Sequence, residues 1–284
     1  MAGPTRPREP VEAQVARHYS QNGLEQAILA ALRASGRDTG RLTPIDLAPV
    51  DEFHTAGRQA TVDLAERLDF APGMHILDVG CGIGGASRFF ATAKGCRVTG
   101  IDLTQDYVDT AAALAERVGL GGQVSYRQAS ALALPFERAA FDGAYMMHVG
   151  MNIADKPALF AEIRRVLKPG SQFAIFDIMR TGNGELSFPV HWAPAAAQSF
   201  VASPQDYRTA LEAAGFEIAK ERDRGDFARA FFQDVAARTA ENGGPPPLGI
   251  HILMKQDIPR KLANVMAALE HRTIAPVELV CVAR

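Results

Sequence analysis

The chain has 284 residues, enough for one large domain or one domain with substantial insertions. Apolar residues make up 47% and charged residues 22%, and a net charge of −2 without a lysine/arginine run argues against a nucleic-acid partner. No stretch approaches the roughly 18 apolar residues of a membrane span, and three cysteines without a C-x-x-C argue against a disulfide framework or zinc site and for a reducing, cytoplasmic setting.

Residues 1–10, "MAGPTRPREP", have no signal-peptide apolar core and read as a disordered tail. Residues 11–70 read as a leading helical region covering the cofactor site, with helical spacing over 11–35 and again over 51–69, chiefly from Arg58. From residue 71 short apolar runs alternate with helix-length segments. Strands are predicted at His75–Val79, Arg97–Ile101, Val124–Gln128, Phe141–Met147 and Phe173–Ile178, and helices at 84–94, 105–118 and 156–167, the last ending before Pro169-Gly170. That rhythm predicts an α/β fold with a parallel, Rossmann-like doubly wound sheet and right-handed crossovers. A further helix carries its own punctuation: Ser203 can cap it, Pro204 suits its first position and Gly215 its stop. Glu217–Glu221 and Val277–Val282 are the last strand candidates.

Two insertions interrupt the 71–284 domain, at 180–202 and 226–272, the second split by "GGPPP". Insertions at strand ends often cover a binding face; padding of the fold or a homo-oligomer contact is the alternative.

The stretch "HILDVGCGIGGASRFF", residues 75–90, joins a buried strand to a helix through a glycine loop. At Gly80 and Gly82 the missing Cβ lets the chain turn tightly against a ligand, and the helix starting near Gly84 offers free N–H groups and a positive dipole end. Gly80, Gly82 and Gly85 satisfy G-x-G-x-x-G, and Asp102 closes the second strand 20 residues after Gly82. A carboxylate there can accept from both hydroxyls of a ribose, or it can cap the helix that starts at Thr104. Asp78, at the mouth of the loop, would repel a pyrophosphate and suits a ligand with an ammonium or sulfonium centre, such as S-adenosylmethionine; the alternative is a strand-end acid bonded to nearby backbone N–H groups.

These residues carry a resemblance. "LDVGCGIGGASRFFA", "VTGIDLT", "ALALPFERAAFDGAYMMH" and "RRVLKPGSQFAIFD" resemble, in order and spacing over about residues 70–180, the class I S-adenosylmethionine-dependent methyltransferases. "FDGAYMMHVGMNIADK" is similar to the quinone-biosynthesis members, and the leading helices with "FHTAGRQAT" to the sarcosine/dimethylglycine and phosphoethanolamine kind. The resemblance implies a seven-stranded sheet with an antiparallel last strand, and S-adenosylmethionine as cofactor with S-adenosylhomocysteine as product. It also implies contacts to the methionine part by Asp78, Gly80, Gly82, Gly84 and the Met147 backbone, to the ribose by Asp102, and to the adenine by Leu103. Ser130-Ala131 stands where the family usually has Asp before a small residue, so Ser130 offers the adenine a shorter, neutral acceptor. Thr55 and Gly57 lie where phosphoethanolamine-type members approach the carboxylate.

Methyl transfer needs in-line alignment, and a base only if the nucleophile must lose a proton. His148, at the carboxyl end of the fourth strand, is the catalytic candidate, as base or as substrate contact. Asn152 can fix its loop or touch substrate. His191 and Trp192, the sole tryptophan, can wall a substrate pocket or anchor packing. Tyr19 can fold over the cofactor or pack between helices. His18, His251 and His271 lack metal-ligand spacing, and no metal is expected. The reading is a methyltransferase acting on a small-molecule acceptor (N, O or C), with no nucleic-acid or membrane partner. The alternatives are an NAD-dependent oxidoreductase, and a non-catalytic adenosyl-cofactor-binding domain.

Overall fold

The computed structural model describes residues 10–254 and 256–284, so the expected tail over 1–10 lies, but for Pro10, outside the described residues. Seven strands form one sheet: β1 His75–Val79, β2 Arg97–Asp102, β3 Val124–Gln128, β4 Phe141–Met147, β5 Leu167–Arg180, β6 Phe216–Asp223 and β7 Ile274–Ala283. Their order is β3-β2-β1-β4-β5-β7-β6, with β1 to β5 parallel and β7 antiparallel to both neighbours. Strands β1, β4 and β7 are buried along almost their whole length because helices cover both faces, which is why they read as near-continuous apolar runs.

The helices are α1 Val11–Tyr19, α2 Leu24–Ala34, α3 Pro44–Asp51, α4 Gly57–Ala65, α5 Gly85–Lys94, α6 Gln105–Arg117, α7 Lys156–Val166, α8 Pro204–Ala213, α9 Gly225–Glu241 and α10 Ile258–Glu270. Local signals set their ends. Ser203 and Asp206 form a capping box at α8, with Pro204 at its first position, and Asp155 accepts from the Ala158 amide at the start of α7.

One sheet face packs α7 and α8 around Phe160, Ile163, Phe173 and Tyr207; the other packs α4 and α5 around Leu64, Phe70, Phe90 and Tyr145. The leading helices make a third cluster with Ile83 and Tyr107, and the insertions a fourth with Trp192, Phe232 and Val265.

Two expectations are corrected. Helix α3 falls where no element is predicted, and the expected 51–69 helix is confined to α4, with a turn between them in which Ala56 adopts φ 65°. Pro44 and Pro49 mask α3 in the sequence, yet Pro44 sits at its first position and Thr43 and Asp46 close a capping box. Strand β5 begins at Leu167, directly after α7, and runs through Pro169-Gly170; a register shift between Phe141 and Gly143 absorbs these residues, so the proline removes no ladder bond.

The sheet order reverses between β1 and β4, and open α/β sheets bind ligands in the crevice at the carboxyl end of such a switch point. Asp78 and Met147 lie at these two strand ends.

Candidate active site

A cavity opens at that crevice. The ends of β1, β2 and β4 supply Asp78, Gly80, Gly82, Asp102, Leu103 and Met147; residues 51–55 between α3 and α4 cover it, with Tyr19 of α1. His148, Asn152, His191 and Trp192 line it, as do Phe231 and Phe232 of α9 and Val265 of α10.

At the strand-end side, Asp78 is buried and its Oδ2 accepts from Ser87 Oγ at 2.6 Å and from the Tyr145 hydroxyl at 2.9 Å. Its partners are therefore hydroxyls of α5 and β4 rather than backbone N–H groups. Burial pushes its carboxyl up to about 7, against the pull of those hydroxyls and of His54. Asp102 accepts from the Gly82 amide at 3.0 Å and from the Thr104 amide at 2.9 Å, so it ties the glycine loop to β2 and closes a turn just ahead of α6, whose first turn it does not cap. Gly82 has φ 53° and nothing within 4 Å of where a Cβ would project, which leaves its backbone open to the cavity. Arg88 of α5 is fully buried; it ion-pairs with Asp51 and donates to the Ile83 carbonyl at 2.9 Å, clamping α3 onto the loop.

On the other side, His148 is held in a left-handed conformation, φ 55°, by its amide's 2.7 Å bond to the Phe176 carbonyl. Its ring stacks on Phe176 with centroids 5.1 Å apart and meets His54 edge-on at 5.9 Å. Burial, and then the charges of His54 and His191, hold its imidazole well below the ordinary histidine range. His54 Nε2 lies 3.0 Å from Glu52 Oε2, and Thr61 donates to the same carboxylate. The Tyr19 hydroxyl stands 3.4–3.5 Å from the Asn152 amide, linking α1 to the loop after β4. His18 of α1 bonds the His191 carbonyl at 2.9 Å. Burial and Lys261 push the His191 imidazole down to about 4. Trp192 donates to Ser199 Oγ at 2.9 Å and packs in the insertion cluster while facing the cavity, so it is anchor and wall together.

Thirteen of the sequence-derived site residues, Thr55, Ala131 and Met147 among them, meet on this one cavity; Gly57, Gly84 and Ser130 do not. A Cβ on Gly84 would run into the Tyr126 hydroxyl, so this glycine serves strand–helix packing. Gly57 opens α4, two residues past Thr55 of the wall. Ser130 donates to Glu12 of α1 and accepts from the Leu132 amide, so its hydroxyl is occupied and Ala129, Ala131 and Leu132 form the wall instead. Sequence reasoning missed Glu52, Phe53 and His54, read as helix, and the Asp51–Arg88 pair. An acid two residues before a histidine, just ahead of a Gly-led helix, is the signal that could have found the first group.

Residues 77–175 match the family model described as "Methyltransferase domain". That stretch of the chain thus carries the pattern of a methyltransferase domain. The chain is 38% identical over 133 residues to O-methyltransferase resE of Aspergillus sclerotiorum, which covers 47% of this chain and 50% of that one. It is 34% identical over 169 residues to the sterol 24-C-methyltransferase of Eremothecium gossypii, covering 57% of this chain and 45% of that protein, so the chain spans about half the length of the curated relatives it matches. The fold of the whole chain is that of the geranyl diphosphate C-methyltransferase of Streptomyces coelicolor A3(2), solved with S-adenosyl-L-homocysteine (TM-score 0.70, 16% identity, 99% of this chain and 100% of that one). It is equally that of the [4+2]-cyclase SpnF (TM-score 0.70, 24% identity, 96% and 97%). The seven-stranded class I methyltransferase sheet with its antiparallel last strand is thus present. Among the described residues no helix is long and apolar enough to cross a membrane, and no group of three potential ligands is placed to hold a metal.

Proposed function

We propose that the protein transfers a methyl group from S-adenosylmethionine to a small organic acceptor. The observation that carries this reading is that Asp78, Gly82 and Asp102 share one cavity with His148 and His191. The strand-end residues suit the cofactor. Asp78 is a buried carboxyl on the cavity wall whose ionised form is costly until a cation arrives, and Gly82 leaves a cradle that a Cβ would fill. Asp102 is positioned on β2 to accept from ribose hydroxyls, and Leu103 beside it offers an apolar surface to a purine. When bound, the cofactor supplies an electrophilic methyl group on a positive sulfur.

The chain's own residues then bind, orient and exclude water. Residues 11–70 and the two insertions close over the crevice, Tyr19 and Asn152 joining α1 to the β4 loop. His148 Nε2, shielded from solvent and without a hydrogen-bond partner, is the group to accept a proton from the nucleophile. Cys81, Cys96 and Cys281 are buried free thiols, in keeping with a cytoplasmic protein.

Because a cycloaddition enzyme shares this fold, binding alone does not settle the chemistry. Calorimetric titration with S-adenosylmethionine, S-adenosylhomocysteine and NAD, followed by transfer of labelled methyl to a panel of acceptors, tests the reading. Binding of both adenosyl ligands but not NAD, with labelled product, supports it; binding of NAD alone overturns it.

A further inference from the structure

Away from Asp78 and Asp102 the cavity changes character. His148 and His191 each have a ring Nε2 that is shielded from solvent and lacks a hydrogen-bond partner. A buried polar atom left so costs about 1–3 kcal/mol. Both rings sit against the same covering segment: His148 meets His54 edge-on with centroids 5.9 Å apart, and His191 lies 6.3 Å from the adjoining Phe53. The rest of this wall is apolar: Phe53, Met151, Ile178, Trp192, Phe232 and Val265.

Among the described residues that line the cavity, none is lysine or arginine. Arg17 and Lys261 line an adjoining hollow that shares His191 with it, and Lys261 Nζ is engaged by the Met254 carbonyl at 2.9 Å. An anionic acceptor would therefore lose its hydration without gaining a counter-charge at the reacting end. The lining acids are mostly engaged, although Glu52 Oε1 is buried without a hydrogen-bond partner. Asp51 pairs with Arg88, Glu52 holds His54 and Thr61, Glu12 accepts from Ser130, and Asp155 caps α7.

Resting on the cofactor reading above, we infer that the acceptor is a mainly apolar molecule without an anionic group, whose hydroxyl bridges His148 Nε2 and His191 Nε2. A hydroxyl donates one hydrogen bond and accepts others, so it satisfies a ring lone pair on His148 and a ring N–H on His191 at once. In the reaction the hydroxyl oxygen takes the methyl carbon and gives its proton to His148 Nε2. The carbon–sulfur bond breaks with its electron pair left on sulfur, so the positive charge lost at sulfur reappears on the imidazole. His191 thereby selects for a hydroxyl, and the aromatic wall selects for an apolar body.

The test uses the full chain saturated with S-adenosylhomocysteine, titrated calorimetrically with 2-naphthol, naphthalene, geranyl diphosphate and phosphoethanolamine. We expect 2-naphthol to bind at least about tenfold more tightly than naphthalene, as the loss of one well-placed hydrogen bond implies, and neither charged probe to bind. His191→Phe should bring 2-naphthol to within about threefold of naphthalene with affinity for S-adenosylhomocysteine unchanged, and His191→Gln, which keeps a donor, should retain part of the margin. Equal affinity of the two arenes, no binding of 2-naphthol, or binding of either charged probe would overturn the inference. Failure of S-adenosylhomocysteine to bind is seen before any acceptor is added, and it strikes the cofactor reading instead.

Discussion

Replacing Asp78 by asparagine removes a charge while keeping the hydrogen bonds that hold the group, because an amide oxygen can still accept from Ser87 and Tyr145. In the folded chain the Asp78 carboxyl titrates at about 7, whereas in an unfolded chain it titrates near 3.9. Three decades of proton affinity correspond to about 4 kcal/mol. Between the two values the folded state binds the extra proton, so its stability falls as pH rises from about 4 to about 7 and stays low above that. The amide that Asp78→Asn introduces has no such proton to lose. The variant's stability relative to wild type should therefore rise by about 2–3 kcal/mol between pH 5 and pH 8, read from urea denaturation of the ligand-free protein. Binding of S-adenosylmethionine should move the other way. Loss of a charged hydrogen bond worth about 1.5–3 kcal/mol weakens affinity roughly 10- to 150-fold at pH 8. The opposed signs identify a carboxylate whose buried charge is costly until a cation arrives. A variant with unchanged stability at pH 8 and unchanged affinity would refute that reasoning.

Asp102→Ala should weaken adenosyl-ligand binding by at least about tenfold in calorimetry while the far-ultraviolet spectrum stays native, and equal affinity would remove the ribose assignment. Arg88→Met leaves Asp51 buried beside Glu52 without its cation; denaturation should show a loss approaching the roughly 3–5 kcal/mol of a broken buried pair, and a loss under about 1 kcal/mol would show that α3 is held by apolar packing instead. His148→Asn suits the left-handed backbone but supplies no base, so kcat should fall about 10²–10⁴-fold with S-adenosylhomocysteine affinity within about twofold of wild type. An unaltered kcat would reassign His148 to positioning.

The sheet was legible in the sequence because its signals are local. Strand candidates at 75–79 and 141–147 coincide with β1 and β4, since a strand buried on both faces has little choice but to be apolar throughout, and the candidate at 124–128 coincides with β3, a largely exposed edge strand. Ser203, Pro204 and Gly215 marked α8 for the same reason: a cap acts on the amide three residues away. The strand-end half of the site was legible too, because Asp78, Gly82 and Asp102 are tied to one strand–loop–helix unit and the strand beside it. The site's other half was decided by tertiary structure. His54 stands beside His148 although 94 residues separate them, and Tyr19 meets Asn152 across 133 residues. Nothing in either stretch encodes its partner, because the pairing depends on how α1, α3 and the insertions pack on the sheet. Ser130 shows the same limit from the other side. Its position along the chain suited an adenine, but the packing of α1 gave its hydroxyl to Glu12. The sequence alone determined the sheet, the glycine loop and the acids at its mouth, which short-range hydrogen bonds and burial dictate. Which imidazoles face one another across the cavity, and which polar atoms are left there without partners, was fixed only when long-range packing closed over the crevice.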